Sequence, residues 1–214
     1  MDEETAIIDQ NTRNEKIKNF FIKNKNKIIS IVVVLIVILC IFFGYGEYSD
    51  RQKIKLSDKY NSITIQYSAQ KKETAKKGLV EIINEKDATY SPLALYFIID
   101  NNLSEQLDEI NNYFDILINE TSLENEIKNL IIYKKALFNV DQADEIQLLE
   151  ILKPILNSES VWKSHSLYLI AEFFFSKNQK VKSKEFFEQI VSLQNPNSDI
   201  LNQTKKRLQR DFSE

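Results

Sequence analysis

Positions 28–43 are apolar without interruption by a charge or a proline, reading Ile-Ile-Ser-Ile-Val-Val-Val-Leu-Ile-Val-Ile-Leu-Cys-Ile-Phe-Phe. With Gly44 and Tyr45 the run reaches 18 residues. As a helix rising roughly 1.5 Å per residue it spans about 27 Å, close to the hydrocarbon thickness of a bilayer. Its β-branched residues would weaken a helix in water. In lipid the backbone has no partner but itself, so the pattern predicts a membrane-spanning helix. The chain then divides into a polar head at 1–27, an anchor at 28–46 and a domain at 47–214.

Beyond the anchor the apolar spacing becomes that of amphipathic helices. Leu56, Tyr60, Ile63 and Tyr67 form one stripe, which the polar stretch 68–72 ends. Ala75, Leu79, Ile82 and Ile83 form a second. Ser91-Pro92 predicts a capped start for a third helix, wholly apolar from 93 to 99 and therefore buried. Leu107, Ile110, Tyr113, Phe114 and Leu117 define a fourth. Thr121 with Glu124 and Glu126 predicts the cap of a fifth, lined by Ile127, Leu130, Ile131 and Phe138. A sixth runs from 146 to 156, ended or kinked by Pro154. Leu167, Ile170, Ala171 and Phe174 line a seventh, and Ser183, Phe187, Ile190 and Val191 an eighth. A break at 195–198 precedes a more polar ninth.

The second members of successive helix pairs start near 73, 104, 142 and 179, a spacing of 31 to 38 residues. That period predicts helix-pair repeats stacked into a solenoid, with an irregular bundle as the alternative. In the last pair, Ala171 and Phe174 followed by Ser183, Phe187, Ile190, Leu193 and Pro196 resemble the tetratricopeptide repeat (TPR) pattern. The predicted fold class is all-α: a single transmembrane helix followed by a TPR-like right-handed helix-pair solenoid of about four pairs and a capping helix.

Composition narrows the chemistry. The chain has one histidine, His165, and one cysteine, Cys40, which lies inside the anchor. No His/Cys metal cluster or glycine-rich phosphate loop can be assembled, and a nucleophile–histidine constellation would have to be built on His165, for which no sequence feature supplies a partner. The expectation is a protein that is not an enzyme, with no catalytic residue, cofactor, metal or small-molecule substrate. Residues 47–214 carry 22 basic and 26 acidic side chains, a net −4, which argues against nucleic acid as a partner.

The charges are unevenly placed. Residues 87–126 contain nine acidic side chains and neither lysine nor arginine. One reading is ordinary solvated helix faces. The functional reading is a partner-binding acidic surface of Asp100, Glu105, Asp108, Glu109 and Asp115 that selects a basic segment. The concave face of the stacked pairs would offer the groove.

Arg13, Lys16, Lys18, Lys23, Lys25 and Lys27 precede the anchor, whereas Glu47 and Asp50 are the first charges after it. The asymmetry favours a cytoplasmic amino terminus. A cleaved signal would need a better small-residue site than Gly44-Tyr45-Gly46, and a lipoprotein signal would need a small residue where Leu39 precedes Cys40.

The head-plus-anchor layout comes together with Tyr90-Ser91-Pro92-Leu93-Ala94-Leu95, Asn102-Leu103, Leu169-Ile170-Ala171-Glu172 and Ser176-Lys177. In this the chain resembles the YfgM-like family, an ancillary subunit of the Sec translocon with a TPR-like periplasmic domain. At the last turn, where that family carries small residues and glycine, this chain has Asn178-Gln179. The resemblance implies a single-pass protein of the bacterial inner membrane with its domain in the periplasm. It also implies protein partners, the SecYEG translocon and the periplasmic chaperone network of protein export. An assembly factor for an unrelated envelope or cell-division complex is the alternative role for such a scaffold.

Overall fold

The computed structural model describes residues 2–68 and 71–212. Its helices, in chain order, are α1 (Asp2–Ile65), α2 (Lys72–Asn84), α3 (Tyr90–Asp100), α4 (Leu107–Glu120), α5 (Asn125–Asn139), α6 (Glu145–Leu156), α7 (Lys163–Ser176), α8 (Lys180–Ser192) and α9 (Ser198–Asp211). The described residues contain no strand. Two compact units divide the chain, Met1–Lys55 and Leu56–Glu214. The polar break expected at 68–72 includes Ala69 and Gln70, which lie outside the described residues.

In the first unit, the apolar stretch of α1 is exposed from Ile29 to Phe43 wherever its side chains are described. It is long and apolar enough to cross a membrane, and none of its most apolar window is buried by protein. A helix in a soluble core hides such a surface, whereas this one leaves it uncovered by the rest of the described chain.

The second unit begins with the last turns of α1. Leu56, Tyr60, Ile63 and Tyr67, the stripe spaced along the sequence, all pack on one core with α2 to α5. Gly78 on α2 lets these elements meet, since a Cβ there would lie 2.6 Å from Ile63 Cδ1. The second members of the pairs, α2, α4, α6 and α8, start at residues 72, 107, 145 and 180.

Burial is distributed in sequence order. A first core holds Leu79, Ile82, Leu95, Ile98, Phe114 and Leu117; a second holds Leu148, Leu152, Ile155, Ile170 and Phe174; a third holds Leu167, Ala171, Phe187 and Ile190. Ile118 bridges the first two, and Leu156 and Phe186 the last two. Each helix packs on the next from α2 to α9; α2 also packs on α4, and α7 on both α5 and α9. Neighbour-on-neighbour packing of this kind is a stack of helix pairs and not an irregular bundle.

Two local expectations change. Ser91 does not cap α3. Asp87 does: its Oδ1 accepts from the backbone N–H of Thr89 at 2.9 Å and of Tyr90 at 2.7 Å. The fully buried Ser91 hydroxyl instead donates to the Ile82 carbonyl of α2 at 2.7 Å, joining the two helices. Likewise Thr121 donates its hydroxyl back to Ile116 O at 3.3 Å and so closes α4, not α5. Pro154 leaves α6 unbroken for two more residues, to Leu156.

The turns after α2, α3 and α7 pass through left-handed residues that are not glycine: Lys86 (φ 54°), Asn102 (φ 48°) and Asn178 (φ 58°). At the end of α7, Gln179 N–H bonds Phe174 O at 2.9 Å and Asn178 N–H bonds Phe175 O at 3.0 Å. This is the double bond of a Schellman ending, with asparagine in glycine's place. The substitution at the last turn therefore leaves its geometry intact.

Candidate protein-interaction site

The five acidic residues singled out from the sequence do not line one hollow. Asp100, exposed at the end of α3, borders a hollow of about 340 Å³ between α3 and α5. Tyr96, Phe114, Leu137 and Phe138 line it, and Lys134 places its Nζ 4.7 Å from the Tyr96 ring centroid. The Tyr96 hydroxyl is buried without a partner among the described residues, and burial pushes its pKa up to about 12. Glu105 is exposed in the loop before α4.

Asp108 and Glu109 follow one another in the first turn of α4 but face different surroundings. Glu109 is drawn into the protein. It accepts from Lys76 Nζ of α2 at 2.6 Å, from the Tyr113 hydroxyl at 2.6 Å, and from Ser104 Oγ. Burial alone would raise its carboxyl; the hydrogen bonds from Lys76, Ser104 and Tyr113, with the Lys76 charge, outweigh it and hold the pKa at about 2. Burial, then Glu109 itself, raise that of Tyr113. The carboxylate is thus a fastener between α2 and α4. Asp115 is half-exposed and holds Lys135 of α5 at 2.7 Å.

Asp108 instead borders the larger hollow, a groove of about 670 Å³. Leu107, Asp108 and Asn111 of α4 form one wall and Ile146, Gln147, Glu150 and Ile151 of α6 the other. Lys135 and Asn139 of α5 form the floor. The groove exists because α6 stands off α4, whereas α4 packs on α2. Ile146 is 78% exposed at its rim. Where the α4 wall meets the floor, Asn111 and Asn139 bond each other through both amides, Nδ2 to Oδ1 at 2.9 Å and 2.8 Å. Asn139 also donates to Lys135 O at 2.7 Å.

A smaller hollow bordered by Phe173, Lys177 and Gln179 shares Gln142 and Ala143 with this groove. The sequence contained no sign of either, because each depends on which helices leave a gap.

His165 lies in an aromatic nest, 5.1 Å from the Trp162 ring and 5.9 Å from the Tyr133 ring, with Trp162 and Tyr133 stacked at 5.8 Å. Its Nδ1 is buried and has no partner among the described residues. The basic carboxy-terminal side chains are partly engaged: Lys182 bonds Glu145 at 2.8 Å, and Arg207 bonds Glu172 at 2.6 Å. Among the described residues, no group of three His, Cys, Asp or Glu side chains converges to hold a metal ion.

An apolar helix able to cross a membrane and a stack of helix pairs with open grooves define a class, the helical repeat scaffold. Within it, a family model for the tetratricopeptide repeat-like domain matches residues 18–144, more than half of the chain, and the chain belongs to that family. The match takes in the apolar stretch and ends at Asp144, the capping residue of α6. It stops before α7 and α8, the pair whose side chains most resemble the TPR pattern. No curated protein and no solved structure matches the chain.

Proposed function

We propose that this protein is a membrane-anchored scaffold that works by binding other proteins, not by catalysis, at the site of protein export. The observation that carries the reading is the presence, on one polypeptide, of a TPR-like domain and an apolar helix unburied by protein. Helix-pair repeats present extended surfaces for partners, and an anchor concentrates those surfaces at the membrane. The lysines of the head favour a cytoplasmic amino terminus, which supports a repeat domain on the far side of the membrane, and the resemblance adds the bacterial inner membrane and its periplasm. The resemblance in layout and in the tracts at 90–95 and 169–172 supports the Sec translocon and periplasmic chaperones as partners.

The test is affinity purification of the full-length protein from membranes in mild detergent after brief crosslinking, with mass spectrometry of what accompanies it. Translocon subunits and periplasmic chaperones are expected. Recovery of a cell-division or other envelope complex in their place would keep the scaffold and discard its link to export.

A further inference from the structure

We propose that the groove between α4 and α6 is the seat of a basic, amphipathic helix from a partner protein. Each wall carries both apolar and acidic groups. Leu107 and Ile146 offer aliphatic surface near the starts of α4 and α6, and Ile151 does so a turn or more further along. Asp108 and Glu150 supply the charge. Asp108 is exposed and has no ion pair among the described residues; Glu150 meets only Lys153 of its own helix, at 3.2 Å, with both side chains mostly exposed. The groove's one base, Lys135, is 16% exposed and already bound to Asp115. The charge left for an occupant is therefore negative, and the occupant's should be positive.

Shape points to a helix. The described walls, 107–111 on α4 and 146–151 on α6, are each one to two turns long. Second helices α2 and α4 pack together, and a helix laid over α5 would restore that contact between α4 and α6. Such a guest presents apolar anchors at positions i, i+3 or i+4, and i+7. On the floor, Asn139 has both amide hydrogens engaged, whereas Asn111 on the α4 wall keeps one amide hydrogen for a polar group of the guest.

The inference rests on the scaffold reading only in taking the ligand to be a protein. Its test uses the full-length protein in zwitterionic lipid nanodiscs. The probe is a fluorescent 14-residue peptide with leucine at helical spacing and lysine elsewhere, compared with the same peptide carrying glutamate for lysine. Anisotropy is read against empty discs.

The lysine peptide is expected to bind and the glutamate peptide not. Ile146→Ser should weaken binding about tenfold. Asp108→Asn with Glu150→Gln should weaken it and flatten its salt dependence. Leu137→Ser, in the hollow between α3 and α5, should change nothing. All three sets of changes fall on exposed side chains, so folding is not at stake.

Equal binding of both peptides, no binding above empty discs, or a loss confined to Leu137→Ser would each overturn the proposal. Peptide binding that fails while export proteins are still captured from membranes would sink the groove and leave the scaffold. Binding that depends on Ile146, with no export protein captured, would keep the groove and remove the export role.

Discussion

Glu109 ties α4 to α2 at neutral pH, and its ionisation is part of the fold's stability. Its carboxyl is held at about 2, below the ordinary 4.5. A lowered carboxyl contributes fully above the unfolded value, and the contribution fades as pH falls through 4.5 toward 2. Glu109→Gln should therefore cost about 2 kcal/mol at pH 7. The difference between variant and wild type should close as pH drops below 4.5. Thermal melts followed by Trp162, the one tryptophan, read this directly. A gap that stayed constant with pH would assign the loss to packing. Glu109→Lys is a poor probe of partner binding for the same reason, since it would place a second cation beside Lys76. Asp108, one residue earlier, is free to meet a partner.

At the scale of helices, α9 shows how one side chain seats an element. Arg207 spans the Glu172 carboxylate with Nε at 2.7 Å and Nη2 at 2.6 Å, donates to Asp211, and lies 4.4 Å over the Phe175 ring. Arg207→Ala should cost about 2–3 kcal/mol and speed tryptic cleavage after Lys205 and Lys206. Arg207→Lys should not restore it, because an ammonium cannot span both oxygens and cover the ring. Unchanged cleavage would show that Ile200, Leu208 and Phe212, packed on the last core, hold α9 alone. The helices themselves were legible because an amphipathic stripe is a local signal. Leu56 to Tyr67, Leu107 to Leu117 and Ser183 to Ile190 bury the residues their spacing marks, in whole or in part, whereas Leu93, Ile127 and Val191, expected on buried faces, are exposed at the edges of theirs. What was illegible is what joins residues distant in sequence. The Glu109–Lys76 pair crosses 33 positions. Ser91 had a choice between capping its own helix and bonding Ile82 O, and only the approach of α2 decides it. The groove between α4 and α6 is further still from any local pattern.

For the molecule as a whole, the proposed anchoring makes the side of the membrane on which the repeats stand decide which partners they can meet. The lysines of the head predict that alkaline phosphatase fused after Glu214 is active in a bacterial host, and that the same enzyme fused after Lys27 is not. The reverse result would place the repeat domain in the cytoplasm and end the periplasmic reading. The turns at Lys86, Asn102 and Asn178 bear on something broader than binding. Glycine is written in guanine-rich codons; lysine and asparagine are written in adenine-rich ones. Asparagine tolerates the left-handed backbone at a small cost, and even a lysine can be held there by the helices on either side. A genome that drifts toward adenine and thymine can thus rewrite these turns without redrawing the helices they join.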